Sequence, residues 1–150
     1  MPFKILVINP GSTSTKVALF ENESFQFEAK IEHTLEQLKQ FPNLWDQFDF
    51  RKRAIISFLD KNQTGLYQLS AVVGRGGLLK SIPGGTYLVN ETMVEDAREG
   101  IQGEHASNLG CALAWSIAQV KACSVRRGTT LTREEKESRI LHIRRGIIEP

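Results

Sequence analysis

The loop after the first apolar run of the chain is the clearest candidate for phosphate chemistry. It reads NPGSTSTK, with one glycine and four consecutive hydroxyl residues between an asparagine and a lysine. Backbone N–H groups and hydroxyls gathered in a turn can bind phosphate oxygens, and a lysine adds positive charge. The asparagine can orient a water molecule on Mg²⁺. The candidate phosphate-binding residues are Asn9, Gly11, Ser12, Thr13, Ser14 and Lys16.

This loop differs from two familiar phosphate-binding loops. A Walker A loop, GxxxxGK[ST], requires a glycine where Lys16 stands. The loop does not open a helix either, because the next segment, VALFE at Val17 to Glu21, is typical of a strand. A phosphate-binding β-hairpin therefore remains, and the alternative is an ordinary polar turn.

Arg75 is the second candidate, in the segment GRGG. Five glycines fall in the twelve residues from Gly74 to Gly85, but their spacing does not fit a dinucleotide-binding fingerprint. Glycines on both sides of Arg75, including Gly76, let a ligand approach the guanidinium. An arginine can hold a carboxylate or phosphate through two parallel hydrogen bonds. The alternative is a surface arginine in a glycine turn.

His105 is the third candidate, in the segment QGEHASNLG. It stands at a predicted helix start, where the helix N-terminus favours anions. We expect an exposed imidazole that can donate a hydrogen bond to a transferring phosphoryl group. Asn108 is expected to cap or tie this loop. The alternative is a histidine with only a structural role.

The elements that position these residues alternate between strands and helices. Three strands, with bounds 3–9, 17–21 and 24–31, form an antiparallel meander. Helices are predicted over 34–41, 44–61, 91–99 (capped by Asn90) and 105–119, with further strands over 68–73 and 86–89. Strands joined by hairpins come first along the chain, and strands joined by helices follow. This order predicts an α/β fold with a mixed sheet.

Composition limits the classes of function. The 150 residues fit about one domain, and 41% hydrophobic residues suffice for a core. A net charge of +2 gives no strong nucleic-acid or membrane signature. No apolar run reaches the length of a membrane span, and none near the N-terminus resembles a signal peptide. Cys111 and Cys123 suggest no disulfide framework or metal site, so we expect buried thiols and a cytoplasmic location.

Three motifs together resemble the N-terminal part of the butyrate kinases, in the acetate kinase family. They read ILVINPGSTSTKVALFENE, AVVGRGGLLKSIPGGTYLVNE and QGEHASNLG, and the resemblance runs from about Lys4 to Gln119. It implies a ribonuclease-H-like domain of the actin-like ATPase superfamily, which also contains sugar kinases and chaperone ATPases. It further implies ATP-dependent phosphorylation of butyrate, or a related short-chain fatty acid, to an acyl phosphate and ADP, reversibly and with Mg²⁺.

The same resemblance implies a role for each candidate residue. Asn9 would lie near the metal and the phosphates, and Ser12, Ser14 and Lys16 would belong to the phosphate hairpin. Arg75 would bind the substrate carboxylate or the phosphoryl group in transfer. His105 would stabilise the transferring group. The expected partners are ATP or ADP and a short-chain carboxylate, with no nucleic acid or membrane, and full-length relatives are expected to be homo-oligomers.

The chain departs from the family pattern after about residue 120. A buried strand ending at a metal-holding aspartate is expected there, but no aspartate follows Asp96. Residues 121–150 hold eight basic and four acidic residues, and Thr132 to Glu135 resembles a capping box. We expect an incomplete kinase domain over 1–120 and a basic, unrelated tail with a short helix from Arg133 to Arg145. The hypothesis is a frameshift or altered gene end, and the alternative is a genuine basic tail.

Other functions stay open at this point. The chain alone is expected to be truncated and inactive, so it could be a non-catalytic fragment that binds phosphate. A sugar kinase or chaperone-like ATPase could share the hairpin, but not the Arg75 and His105 motifs as well. A nucleic-acid-binding module built on the basic tail is weakly supported, because no aromatic residue follows Trp115.

Overall fold

The computed structural model describes residues 2–125 and 140–143, with side chains for residues 2–119. The strands are β1 (Lys4–Pro10), β2 (Ser14–Glu21), β3 (Ser24–Glu32), β4 (Leu69–Arg75), β5 (Thr86–Leu88) and β6 (Ile140–Ile143). The α-helices are α1 (Leu35–Leu38), α2 (Phe48–Lys61), α3 (Glu91–Glu99) and α4 (Leu109–Val125). Short 3₁₀ turns cover Leu44–Gln47, Leu66–Gln68 and Ala106–Asn108. No helix in the described ranges is long and apolar enough to cross a membrane.

The strands form one mixed sheet in the order β3-β2-β1-β4-β6-β5. Strands β1, β2 and β3 pair antiparallel, whereas β4 is parallel to β1 and β6 is parallel to β4. The predicted α/β fold, with a mixed sheet that opens on a three-stranded meander, is confirmed. Because β1 and β4 are parallel, the loops that follow them leave from the same edge of the sheet.

One face of the sheet carries the core. Leu6 and Ile8 lie two residues apart on β1 and are fully buried. Leu6 pairs with Leu19 of β2 and Ile8 pairs with Val17, and both partners are buried as well. This period of two sends Val7, between them, and Asn9, after them, to the opposite face. The side of the sheet that carries Ile8 therefore faces the core, and the side that carries Asn9 can hold functional side chains.

Helices α2 and α4 cover the core face. In α2 the buried positions recur every four residues, at Arg51, Ile55 and Leu59. In α4 the apolar residues surround the helix, which is typical of a helix buried between other elements. Burial raises the pKa of the Cys111 thiol to about 12, so this cysteine is an inert core residue, as expected.

A backbone contact fixes α4 against the end of β4. A Cβ at Gly74 would overlap the carbonyl oxygen of Gly110, and a Cβ at Gly110 would overlap the carbonyl oxygen of Arg75. Only glycine permits this approach, because both obstacles are backbone atoms that side-chain repacking cannot move. The helix therefore begins beside the strand end that carries Arg75.

The predicted helix from Arg133 to Arg145 is wrong at its C-terminal end. Residues 140–143 form β6, which lies between β4 and β5 and pairs with both. Pairing satisfies backbone N–H and C=O groups of β4, and such tertiary contacts outweigh a local capping signal. The proposed capping box at Thr132 lies outside the described residues. Helix α4 also continues to Val125, past the expected domain boundary at residue 120.

We expect Gly74→Ala to destabilise the chain strongly. The new methyl group would meet the Gly110 carbonyl and force α4 away from β4, at a cost on the order of 2 kcal/mol or more. Thermal and urea unfolding measure the change in the free energy of unfolding. Gly85→Ala is the matched control, because its Cβ would make only ordinary contacts with Tyr87. Equal stabilities of the two variants would contradict the close packing.

Candidate functional site

Two cationic side chains flank Asn9 at the edge of the sheet where β1 and β4 end. Asn9 pairs with Lys16 of β2 across the antiparallel ladder, so both side chains stand on the same face. On its other side, Arg75 Nη1 donates to Asn9 Oδ1 at 3.5 Å. We call Lys16, Asn9 and Arg75 the strand-end row. It lies on the face opposite α4, because the neighbouring Gly74 faces that helix.

The row has the charge of an anion site. Lys16 and Arg75 are exposed, and Asn9 between them is half-buried. Neither cation forms an ion pair with an acidic side chain in the part of the chain whose side chains are described. Both are therefore available to an anionic ligand at the carboxyl ends of parallel strands, where α/β proteins commonly bind ligands.

The predicted phosphate hairpin is a tight turn between β1 and β2. Its ends close through a hydrogen bond from Gly11 N–H to Ser14 O at 2.7 Å. Ser12 and Thr13 are exposed at the tip, whereas Ser14 is only 8% exposed. The structure therefore places Ser12, Thr13 and Lys16 on the surface, and Ser14 inside the fold.

A buried arginine lies beneath this turn. Arg51 of α2 is 0% exposed and donates from Nη1 to Ser14 O and Thr15 Oγ1, both at 3.1 Å. Its Nη2 donates to Ser12 O at 3.2 Å. Gln47, one turn earlier, accepts from Nε at 3.1 Å and from Nη2 at 2.9 Å. The guanidinium thus joins the helix to the turn.

His33 completes the buried polar cluster under the turn. Its Nε2 lies 2.8 Å from Thr15 Oγ1, and its backbone N–H donates to Thr13 O at 2.8 Å. Burial lowers the pKa of His33, nearby Arg51 lowers it further, and Glu32 opposes the shift. A neutral imidazole fits this position, because its Nε2 can then accept the Thr15 hydroxyl proton while that oxygen accepts from Arg51.

Asn108 ties the glycine-rich loop after β4 to the segment that carries His105. Its Oδ1 accepts from Leu78 N–H at 2.8 Å. Its Nδ2 donates to the carbonyl oxygens of Ala97 at 3.3 Å and Gly103 at 3.0 Å. The side chain is fully buried and uses both ends of its amide. The expectation that Asn108 ties this loop is therefore confirmed.

His105 is exposed and caps the 3₁₀ turn that leads into α4. Ser107 N–H donates to His105 Nδ1 at 3.1 Å, so Nδ1 serves as an acceptor. In the neutral ring the proton is then on Nε2, which remains a hydrogen-bond donor. The long helix was predicted to begin at His105. It begins instead at Leu109, because His105 caps a 3₁₀ turn that precedes the helix.

The described residues contain no group of three or more His, Cys, Asp or Glu side chains placed to hold a metal ion. Mg²⁺ in phosphate chemistry is usually held by one or two carboxylates together with substrate phosphates. Asn9 offers one amide, whose oxygen receives the hydrogen bond from Arg75. The indirect metal role of Asn9 therefore stays a prediction.

Sequence reasoning missed Arg51, Gln47 and His33. A signal for Arg51 was present, since it precedes Ile55 and Leu59 by four and eight residues and so shares their buried face. A charged residue on an apolar helix stripe requires a buried partner. No comparable pattern marks His33, whose partner Thr15 is brought close only by the β2–β3 pairing.

Two curated proteins that are similar to the chain are both named as butyrate kinases. No family model matches it. A protein named probable butyrate kinase from Clostridium botulinum (strain Eklund 17B / Type B) is 51% identical over 117 residues, which are 78% of this chain and 33% of that protein. Butyrate kinase 2 from Clostridium acetobutylicum is 52% identical over 119 residues, 79% of this chain and 33% of the relative.

Over most of its length the chain is homologous to proteins that are named butyrate kinase. It spans about a third of the length of the curated relatives that it matches. The matched length is close to that of the segment from Lys4 to Gln119, which carries the three motifs. The predicted resemblance to an N-terminal part of this family is confirmed.

Solved structures with similarity to the chain include two carboxylate kinases. One is the acetate kinase of Porphyromonas gingivalis, with 13% identity, a TM-score of 0.49, and coverage of 95% of this chain and 37% of that chain. The other is a propionate kinase from Francisella tularensis subsp. tularensis SCHU S4, with 16% identity, a TM-score of 0.43, and coverage of 95% and 36%.

We expect Asn108→Asp to destabilise the fold by on the order of 3 kcal/mol. A carboxylate cannot donate to the carbonyl oxygens of Ala97 and Gly103, and it would bury a negative charge beside them. Urea unfolding measures the loss. Asn90→Asp is the control, because Asn90 only accepts a bond, from Met93 N–H, and a carboxylate does the same. An Asn108→Asp chain as stable as the control would refute the donor role.

We expect the stability of the chain to fall as the pH drops below the ordinary histidine pKa of 6.5. The pKa of His33 is lowered in the fold, so the unfolded chain binds a proton more readily. The stability that neutral His33 contributes is complete above pH 6.5, and it is lost as the pH falls through the lower pKa of His33 in the folded chain. Unfolding free energies of wild type and His33→Gln at pH 7.5 and 5.5 test this.

His33→Gln should show a smaller loss between the two pH values. His105→Gln removes an exposed histidine instead and serves as the control. If His33→Gln and the wild-type chain lose the same stability on acidification, His33 is not the group responsible.

Proposed function

We propose that the chain supplies the phosphate- and carboxylate-binding part of a short-chain fatty acid kinase. The reaction is transfer of the γ-phosphoryl group of ATP to butyrate or a related acid, giving an acyl phosphate and ADP, reversibly. The strand-end row of Lys16, Asn9 and Arg75 is the observation that carries the proposal. The names of the homologous butyrate kinases support the substrate class.

The chemistry needs attraction of anions more than acid–base groups. A carboxylate acceptor is already ionised at pH 7, so no strong general base is required. Phosphoryl transfer depends mainly on positioning and on neutralising negative charge. Two cations and several hydrogen-bond donors at one edge of a sheet answer this need.

Each candidate residue has a distinct task in this proposal. Arg75 binds the carboxylate or the phosphoryl group in transfer, and Gly76 beside it leaves room for the ligand. His105 donates from Nε2 to the transferring group. The hairpin tip at Ser12 and Thr13, together with Lys16, holds nucleotide phosphate oxygens. Asn108 keeps the Arg75 loop and the His105 segment in one arrangement.

ATP and Mg²⁺ belong to the proposal on different grounds. Kinase activity in the relatives' names supports ATP as the phosphoryl donor. Bound Mg²⁺ would neutralise phosphate charge, but the described residues offer it one amide and no acidic cluster. We therefore assign no step to the metal.

The proposal extends to the surroundings of the site. We propose the ribonuclease-H-like domain of the actin-like ATPase superfamily, because the meander is followed by strands parallel to β1. We also propose that the whole protein is a homo-oligomer in the cytoplasm. The chain alone is proposed to bind phosphate without turnover, since it spans about a third of its relatives.

A chimera tests the proposed function. The aligned 117 residues of the Clostridium botulinum relative are replaced by the matching segment of this chain, and butyrate-dependent acyl phosphate formation is followed as hydroxamate. We expect ATP-dependent product from the chimera and none from the 150-residue chain. A folded chimera without activity would contradict the proposal. Turnover by the chain alone would overturn its non-catalytic role.

We expect Arg75→Ala in the chimera to lower kcat by at least about a hundredfold. Loss of a preorganised electrostatic donor typically has this effect, and Arg75 is exposed, so the fold should persist. Steady-state kinetics with butyrate measure the change. Arg53→Gln is the matched control, because it removes an exposed arginine from α2 away from the strand-end row. Near-normal turnover in Arg75→Ala would remove Arg75 from the mechanism.

A further inference from the structure

We infer that Arg51, anchored by Gln47, is a positioning residue that gives the hairpin tip its anion site. The guanidinium holds the turn from inside the fold, so that its free N–H groups face outward and an uncompensated positive charge lies beneath them. This inference rests on the proposed function, because it concerns the hairpin to which phosphate binding is assigned.

The guanidinium is fully used by the structure. An arginine has five N–H donors, and Arg51 makes five hydrogen bonds. Three of them end on the turn, at Ser12 O, Ser14 O and Thr15 Oγ1, and two end on Gln47. A lysine has one nitrogen and cannot span these separated acceptors.

The orientation of the peptide planes follows from these bonds. In a trans peptide the C=O and the next N–H point in opposite directions. Because Ser12 O points at Arg51, the N–H of Thr13 points away from it. The hydrogen bonds within the described part of the chain include none donated by the N–H of Ser12 or Thr13. Both residues are exposed, so these donors are open to a ligand.

The charge of Arg51 has no acidic partner among the described side chains. The ion pairs found there join Lys30 with Glu32 and Lys80 with Asp96. Burial lowers the pKa of Arg51 to about 10, which leaves it charged at neutral pH. A buried charge is weakly screened, so its field reaches the tip of the turn above it. An anion bound at the tip would supply the missing countercharge.

Titration of the 150-residue chain with pyrophosphate tests the inference. The amide resonances of Ser12 and Thr13 report binding, and the midpoint gives the dissociation constant. We expect Arg51→Lys to bind about tenfold more weakly or worse, as for the loss of a charge-assisted hydrogen bond. Gln47→Ala keeps the charge of Arg51 but removes the anchor of its guanidinium. The affinity of this variant should therefore lie between those of the wild type and Arg51→Lys. Arg53→Gln, on the same helix, should bind as the wild type does.

Thermal unfolding of each variant separates positioning from a merely structural role. All titrations are made well below the unfolding midpoint, where a residue that only stabilises the fold leaves affinity unchanged. If Arg51→Lys does not fold, Gln47→Ala decides the question. Weaker binding by Arg51→Lys or Gln47→Ala in folded protein, with Arg53→Gln unaffected, supports the inference.

The contrary results are distinguishable. Wild-type affinity in folded Arg51→Lys and Gln47→Ala overturns the role of Arg51 and leaves the proposed function intact. An equal loss in Arg53→Gln shows that the affinity does not depend on Arg51 in particular, which also overturns it. Absence of pyrophosphate binding at the Ser12 and Thr13 amides of the wild type overturns both the inference and the phosphate-binding function of the hairpin.

Discussion

The contact between the backbones of Gly74 and Gly110 is the constraint on which the site depends. It sets α4 directly against the end of β4, where neither residue has space for a side chain. The helix start then lies beside Arg75, and Asn108 can reach both the loop after β4 and the carbonyl of Gly103. Without this approach the loop and the His105 segment would have no common support.

The two faces of the sheet divide the work. The face of Leu6 and Ile8 is covered by helices and supplies the burial that stabilises the fold. The face of Asn9 carries the strand-end row and keeps its cations in solvent. Alternation along β1 and β2 places adjacent residues on opposite faces, so the two tasks do not compete for the same positions.

The polar cluster at Arg51 is an exception within the covered face. A buried guanidinium is unfavourable unless every donor has a partner, and here each one does. The partners are the atoms of the turn itself, together with Gln47. The same set of bonds therefore orders the turn and satisfies the N–H donors of the guanidinium, which links the core to the candidate site.

The sequence by itself predicted most of the elements and the resemblance to the butyrate kinases. The period of apolar residues predicted the meander, and Asn90 marked the start of α3, because both signals are local. The three motifs were long enough to identify the homologues. The tail helix was wrong over 140–143, because strand pairing with β4 and β5 is not a local property.

Only the tertiary structure decided which candidates meet and what supports them. Parallel pairing of β1 and β4, two segments far apart in sequence, places Asn9 beside Arg75. The inward position of Ser14 follows from packing on α2, although its neighbours Ser12 and Thr13 are chemically alike. Packing of α2 under the turn also brings Arg51 to the candidate site. The sequence alone does not show this, because the partners of a side chain depend on distances in the folded chain.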